Sequence, residues 1–268
     1  MARLESLRLP RRRRRESSFW RRLRWALLGV LVVIVTLIAQ LPAAWLADSV
    51  AARSGQRVLL ADAAGTIWHG SATVALSAGA GSQTGTVLPG RLAWTVPFWP
   101  LLTGTLRVVV SHDHSLAAPV ALAVTPRGWT AQAGAMRLPA SLLEGVGAPF
   151  NTLRPDGQMR LDWTAMRGRF ADGALEGHLT LRIEQVSSAV SRLRPLGSYR
   201  AEIDWTGAAG RLDLKTMAGP LYLEGSGTLG KTARFEGTAK ADPEAAAQLA
   251  GLLSLLGRRE DNVTRLRF

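Results

Sequence analysis

Residues 25–41, WALLGVLVVIVTLIAQL, hold no charged side chain, and Gln40 is their one strongly polar group. A run of this kind has few places to go. At 1.5 Å rise per residue it spans about 25 Å as a helix, the short end of what crosses a bilayer core. Trp25 and Trp45 flank it, as interfacial anchors do. The run predicts a transmembrane signal-anchor helix over 25–41. The rival is a cleaved signal peptide, for which LPAAWLA (41–47) supplies small residues near a cut. The run is longer than the usual apolar stretch of about 7–15 residues in such peptides, which favours the anchor.

The net charge of +13 suggests a nucleic-acid binder until the charges are located. Residues 1–24 carry ten arginines against Glu5 and Glu16, which is +8 of the +13 and leaves +5 for the other 244 residues. The basic character therefore belongs to the tail, and no aromatic–basic platform accompanies it, so no nucleic-acid partner is expected. Arg11, Arg12, Arg13, Arg14, Arg15, Arg21, Arg22 and Arg24 are read as topology charges. They hold the N-terminus in the cytoplasm and attract anionic headgroups by about 1 kcal/mol each. The expected arrangement is an Arg-rich cytoplasmic tail (1–24), the transmembrane helix (25–41) and a membrane-proximal linker (42–56). A periplasmic β-rich domain (57–257) follows, with related halves at about 57–147 and 148–257, then a C-terminal segment (258–268). The location implied is the inner membrane of a Gram-negative bacterium, with a single pass.

From residue 57 the pattern has period two. In GQMRLDW (157–163), Met159, Leu161 and Trp163 point one way while Gln158, Arg160 and Asp162 point the other. YRAEIDW (199–205) and HLTLRIE (178–184) alternate in the same manner, and glycines punctuate the runs. This is the mark of antiparallel strands with one wet face.

A repeat underlies them: LPGRLAWT (88–95), LRPDGQMRLDWT (153–164) and LRPLGSYRAEIDWT (193–206). The spacing from Gly to Trp is four, six and eight. An increment of two lengthens a strand without turning its tryptophan over, whereas one would flip it. Trp94, Trp163 and Trp205 are thus expected at equivalent inward positions, each opening a β-hairpin. The predicted fold is mainly β: an antiparallel domain of repeated hairpins, forming a curved sheet or a sandwich, with two short packing helices. PASLLEGVG (139–147) and ADPEAAAQLAGLLSLLG (241–257) are those helices. In the second, Asp242 is placed as the cap, and Leu249, Leu252, Leu253 and Leu256 form the apolar stripe.

Chemistry is sparse. Cysteine is absent, which excludes disulfides, thiolate nucleophiles and cysteine metal ligands. His112 and His114 would share one side of a strand, but two ligands do not complete a zinc site. No metal and no cofactor is expected. No nucleophile elbow, P-loop, dinucleotide fingerprint or HExxH occurs, so the chain reads as a non-enzyme. A hydrolase would need a pocket with two converging carboxylates.

Several features together resemble protein N of the bacterial type II secretion system (the general secretion pathway). They are the basic N-terminus and apolar helix, then Pro42 and Trp45, and a G-T-x-W-x-G corner at Gly65, Thr66, Trp68 and Gly70. A G-x-L-x-W strand at Gly90, Leu92 and Trp94 and L-x-G at Leu102 and Gly104 complete the pattern. The resemblance covers most of residues 25–215 and is densest at 42–106. It implies an inner-membrane accessory component of the apparatus that exports folded proteins across the outer membrane. That component would be a scaffold whose periplasmic β domain contacts other secretion subunits, with no catalytic residue. The alternative is an AsmA-like membrane-anchored lipid-binding or lipid-transfer protein, with a lipid partner held on the apolar side of the sheet. What separates them is whether helix 242–257 closes that face or leaves a trough.

Overall fold

The computed structural model describes residues 16–77, 79–80, 85–146, 150–230, 232–260 and 263–267. Arg11 to Arg15 lie outside the described residues. The chain divides into two compact units, Met1–Leu41 and Pro42–Phe268.

The described residues of the first unit form chiefly a helix, α1 (Glu16–Ala39). It begins well before Trp25 because Arg21, Arg22, Leu23 and Arg24 are good helix formers with no breaker among them. It stops short of Leu41 because the residue before a proline is disfavoured in the α region. Trp20–Ala39 has mean hydropathy 2.1 and is long and apolar enough to cross a membrane. Arg21, Arg22 and Arg24 are exposed on its first turns.

The second unit opens with α2 (Ala43–Arg53), where the sequence suggested a linker. Pro42 at its N-cap and Gly55 just beyond it bracket AAWLADSVAAR, whose five alanines favour helix. Ala43 and Ala47 are buried.

The strands follow as a meander. They are β1 (Val58–Gly65), β2 (His69–Ser77), β3 (Gly85–Val87) and β4 (Leu92–Thr95), then, after a short helix α3 (Trp99–Leu102), β5 (Leu106–His112) and β6 (Val120–Thr125). Next come β7 (Gly128–Ala131) and β8 (Gly134–Pro139). A 3-10 turn (Ala140–Val146) and α4 (Phe150–Leu153) lead to β9 (Pro155–Trp163), β10 (Met166–Arg169) and β11 (Leu175–Ser188). The last group is β12 (Gly197–Gly207), β13 (Gly210–Ala218), β14 (Leu221–Leu229), β15 (Arg234–Ala241), α5 (Ala246–Leu256), β16 (Arg258–Glu260) and β17 (Val263–Arg267).

All these strands belong to one sheet, and the pairs are antiparallel. β7–β8 and β9–β10 act as two long strands interrupted together: Ala131 opposes Met166, and three residues on Gly134 opposes Trp163. Order along the meander breaks at the end, where β17 pairs with β15 and β16 lies outside it. Among the described residues the sheet does not close. β1 has β2 as its strand partner, and β16 has β17.

The registers carry one apolar face through the sheet. Trp94 opposes Val110, Val108 opposes Leu122, Leu181 lies between Leu161 and Ala201, and Ile203 opposes Leu212. The opposite face carries ion pairs along single strands, Arg160–Asp162 at 3.0 Å and Arg211–Asp213 at 3.2 Å.

Three clusters fill the apolar side. One lies under α2, around Ala43, Ala72, Trp94 and Val96. The 3-10 turn packs Ala140 and Leu142 onto Leu88 and Met159. The third joins Leu249, Leu252 and Leu253 of α5 to Leu196, Leu221, Ala239 and Leu266. Here one expectation fails in detail. Asp242 is not the cap: the N-cap is Ala245, without a side-chain cap bond, because the Asp242 carbonyl closes a preceding turn by accepting the Ala245 amide.

Candidate functional site

The GTIWHG corner is the turn between β1 and β2. Gly65 adopts φ +87°, and a Cβ there would lie 2.4 Å from the His69 carbonyl oxygen. The Thr66 amide donates to that same carbonyl at 2.8 Å, and the Thr66 hydroxyl accepts from the amides of Trp68 and His69 at 3.3 and 3.2 Å. His69 is exposed and pairs with Thr95 in the ladder. Two other residues of the N-terminal motif, Pro42 and Trp94, meet this corner. Pro42 forms a bridge with Thr66, the Trp94 indole donates to the Ile67 carbonyl at 3.2 Å, and the Val96 amide donates to the Trp68 carbonyl at 2.7 Å. Leu92 follows Gly90, whose φ of +105° turns the chain against the rings of His112 and His114.

Beyond Val96 the chain runs outward. Trp68 meets Phe98 edge to face at 6.3 Å between ring centroids, and Phe98 meets Trp99 at 6.4 Å. Trp99 is 77 % exposed, Leu102 65 % and Phe98 57 %, and Trp45 on α2 is 65 % exposed. Gly104, with φ +75°, ends α3 by donating to the Leu101 carbonyl.

Trp94, Trp163 and Trp205 share the apolar face. Each stands directly across from a glycine: Gly70, Gly134 and Gly210. A Cβ on those glycines would come within 2.4, 2.5 and 2.5 Å of the indole rings. Trp94 is 4 % exposed, whereas Trp163 and Trp205 are half-buried. A fourth pair, Trp129 across from Gly168, repeats the device: a Cβ on Gly168 would come within 2.3 Å of the indole ring. The sequence repeat missed it because β7 is too short to display a period. A large flat ring over a glycine restores the side-chain packing that the glycine strand lacks.

Two histidine arrangements escaped the sequence reading. His112 ends β5 and is buried. Its Nδ1 accepts from the amides of Ser115 at 3.1 Å and His114 at 3.4 Å, so it holds the turn that follows. Burial pushes its pKa below the usual value, and His114 adds to the shift while Asp113 opposes it. His114 is exposed. On the polar face, His178 joins Asp204 through Nδ1, and its Nε2 lies 3.0 Å from the Thr180 hydroxyl. Hydroxyl, imidazole and carboxylate stand in the order used for nucleophilic catalysis. All three sit on the exposed polar face and line neither of the cavities described next. Among the described residues no three His, Asp or Glu groups are grouped to hold a metal ion.

Two cavities stand out. The first is an apolar trough of about 400 Å³ beside α5, walled by Leu181, Ile183, Ile203, Leu214, Leu223 and Leu252 among others. The helix covers one end of the apolar face and leaves this stretch open. Tyr199 also lines it, and its buried hydroxyl donates to the Leu221 carbonyl at 3.0 Å. The second, of about 810 Å³, lies near β8 and β9 and includes Asp156, Glu184, Arg137 and His114. Asp156 and Glu184 are exposed, and Asp156 already accepts the Gly157 amide.

A family model described as type II secretion system (T2SS), protein N matches residues 56–267. The match begins after Pro42 and Trp45 and runs through the C-terminal strands, beyond where the sequence resemblance thinned. No curated protein and no solved structure matches the chain.

Proposed function

This chain belongs to the type II secretion system protein N family, and from that premise we propose that it is an inner-membrane accessory scaffold of the secretion apparatus. The apolar helix anchors it, the N-terminus is cytoplasmic, and the β unit works in the periplasm, recruiting other subunits during export of folded proteins. One observation carries the scaffold role: a large sheet that, among the described residues, ends in strands with one neighbour each, β1 and β16. Such edges accept a further strand through main-chain hydrogen bonds. The chain has no cysteine, so single-cysteine variants read contacts cleanly. A photo-crosslinker on Ala61→Cys at the β1 edge should capture another secretion subunit in cells carrying the apparatus. The same probe on Lys215→Cys, mid-sheet on the polar face, should not. Equal capture at both positions, or at neither, removes the edge-recruitment reading.

A second reading, lipid binding, is favoured by the trough. Ligand cavities run to about 300–1,000 Å³, and a dry apolar void of about 150 Å³ already takes up benzene. The trough's 400 Å³ and aliphatic walls suit an acyl chain. Exposed Arg154 lies between its lining residues Leu153 and Pro155, and exposed Arg194 is two residues before Leu196; these would meet an anionic head. Mass spectrometry of the detergent-extracted protein should find phospholipid that is lost in Leu214→Trp. Lipid-free wild-type protein rules this reading out.

A further inference from the structure

We propose that the projecting corner of Phe98, Trp99 and Leu102 is a foot that seats the β unit in the headgroup region of the bilayer. The inference rests on the membrane-anchor reading of α1. Its own basis is a different set of residues.

The corner is built to project. Pro97 and Pro100 fix φ on either side of Phe98 and Trp99. The Thr103 and Gly104 amides close the turn onto the Pro100 and Leu101 carbonyls at 3.1 and 3.0 Å. Its apolar side chains are therefore held outward, with Trp99 77 % and Leu102 65 % exposed. From Leu92 to Leu106 there is no charged residue. Aromatic rings with an apolar body and a polar edge are favoured at the membrane–water boundary.

The chain connects this corner to the bilayer. α1 ends at Ala39, and Pro42 opens the β unit. Pro42 bridges to Thr66, whose hydroxyl accepts the Trp68 amide. The Trp68 carbonyl binds Val96, and the Trp68 ring meets Phe98. The tether from the apolar helix to this network is two residues, Gln40 and Leu41, so Ala39 and Pro42 lie at most three Cα–Cα steps, about 11 Å, apart. A protein partner fits less well. Such interfaces carry a polar rim with roughly one hydrogen bond per 100–200 Å². Here the segment 97–104 offers two polar side-chain groups, the Trp99 indole N–H and the Thr103 hydroxyl, and the hydroxyl already donates to the Pro100 carbonyl at 2.8 Å.

The test uses the full chain in liposomes of phosphatidylethanolamine and phosphatidylglycerol. A fluorescent label is placed on Leu102→Cys, Ile34→Cys or Lys215→Cys. Spin labels attached shallow in the lipid should quench the Leu102 site, deep ones should quench Ile34, and neither should affect Lys215. Adding Phe98→Ser and Trp99→Ser to the Leu102→Cys chain should abolish its quenching while leaving the far-UV circular dichroism unchanged. An unquenched Leu102 beside a quenched Ile34 overturns the foot and leaves the anchor standing. An unquenched Ile34 overturns the anchor, and the foot with it. Protection of the Leu102 label from aqueous quencher only when other secretion subunits are co-reconstituted would overturn the foot in favour of a protein contact.

Discussion

Trp94 shows how one residue organises its neighbours. Its ring occupies the space a side chain at Gly70 would need, and a methyl there would lie 2.4 Å from the indole and 2.8 Å from the Thr66 carbonyl oxygen. One obstacle is backbone, so the ring alone cannot relieve it. Gly70→Ala should cost on the order of 1–3 kcal/mol by overpacking, and Trp94→Ala about 3–5 kcal/mol by leaving a void. Thermal unfolding in detergent should find the double variant less destabilised than the sum, since the methyl enters the void. Additivity would mean that Trp94 and Gly70 are not coupled. His112 gives a pH prediction. Its folded pKa lies below the ordinary 6.5, so the unfolded chain takes up the proton first as pH falls. Stability from this residue is complete above pH 6.5 and declines as pH drops through the folded pKa. His112→Gln keeps an acceptor for the turn but cannot titrate. Its stability should fall less steeply than wild type between pH 7 and 5. Matching slopes would show that His112 is not the group responsible.

At the scale of elements, α5 closes one end of the apolar face, and its two sides should respond very differently. Leu249 is fully buried against Ala239 and Leu266, whereas Leu255 is exposed. Leu249→Ala should lose about 2–5 kcal/mol, and Leu255→Ala should stay within about 0.5 kcal/mol. Chemical denaturation of the two variants checks this, and similar losses would mean that α5 packs by another face. The α5 stripe was legible in the sequence because Leu249, Leu252, Leu253 and Leu256 follow the helical period. The long strands β9, β11 and β12 were legible for the analogous reason: a sheet wet on one face writes its period into the chain. α2 was not, because an alanine-rich segment carries helix propensity without a distinct apolar stripe. The helix start at Glu16 was obscured because arginines extend a helix as readily as they flank one. Nor could periodicity show that Trp129 faces Gly168, or that His178 meets Asp204. Those contacts depend on register between strands far apart in sequence.

For the whole molecule, the asymmetry of charge should decide orientation. Ten arginines precede residue 25, and the remaining 244 residues carry a net +5 spread along the rest of the chain. Moving arginine into a bilayer core costs about 2.5–3.5 kcal/mol each on the insertion scale, so translocating the basic end would be opposed at every step. The β unit has no comparable run of arginines. The expectation is that a membrane-impermeant maleimide, applied to cells with a permeabilised outer membrane, labels Lys215→Cys. Ser17→Cys should react only after the inner membrane is lysed. Replacing Arg11 to Arg15 by glutamine should weaken this bias and yield a mixed population, because Arg21, Arg22 and Arg24 remain. Labelling of Ser17→Cys in unlysed cells carrying the native tail would show that the arginines do not set the orientation. Loss of the N-terminal segment from the labelled product, read by its mass, would show that the apolar run is cleaved and that the β unit works untethered.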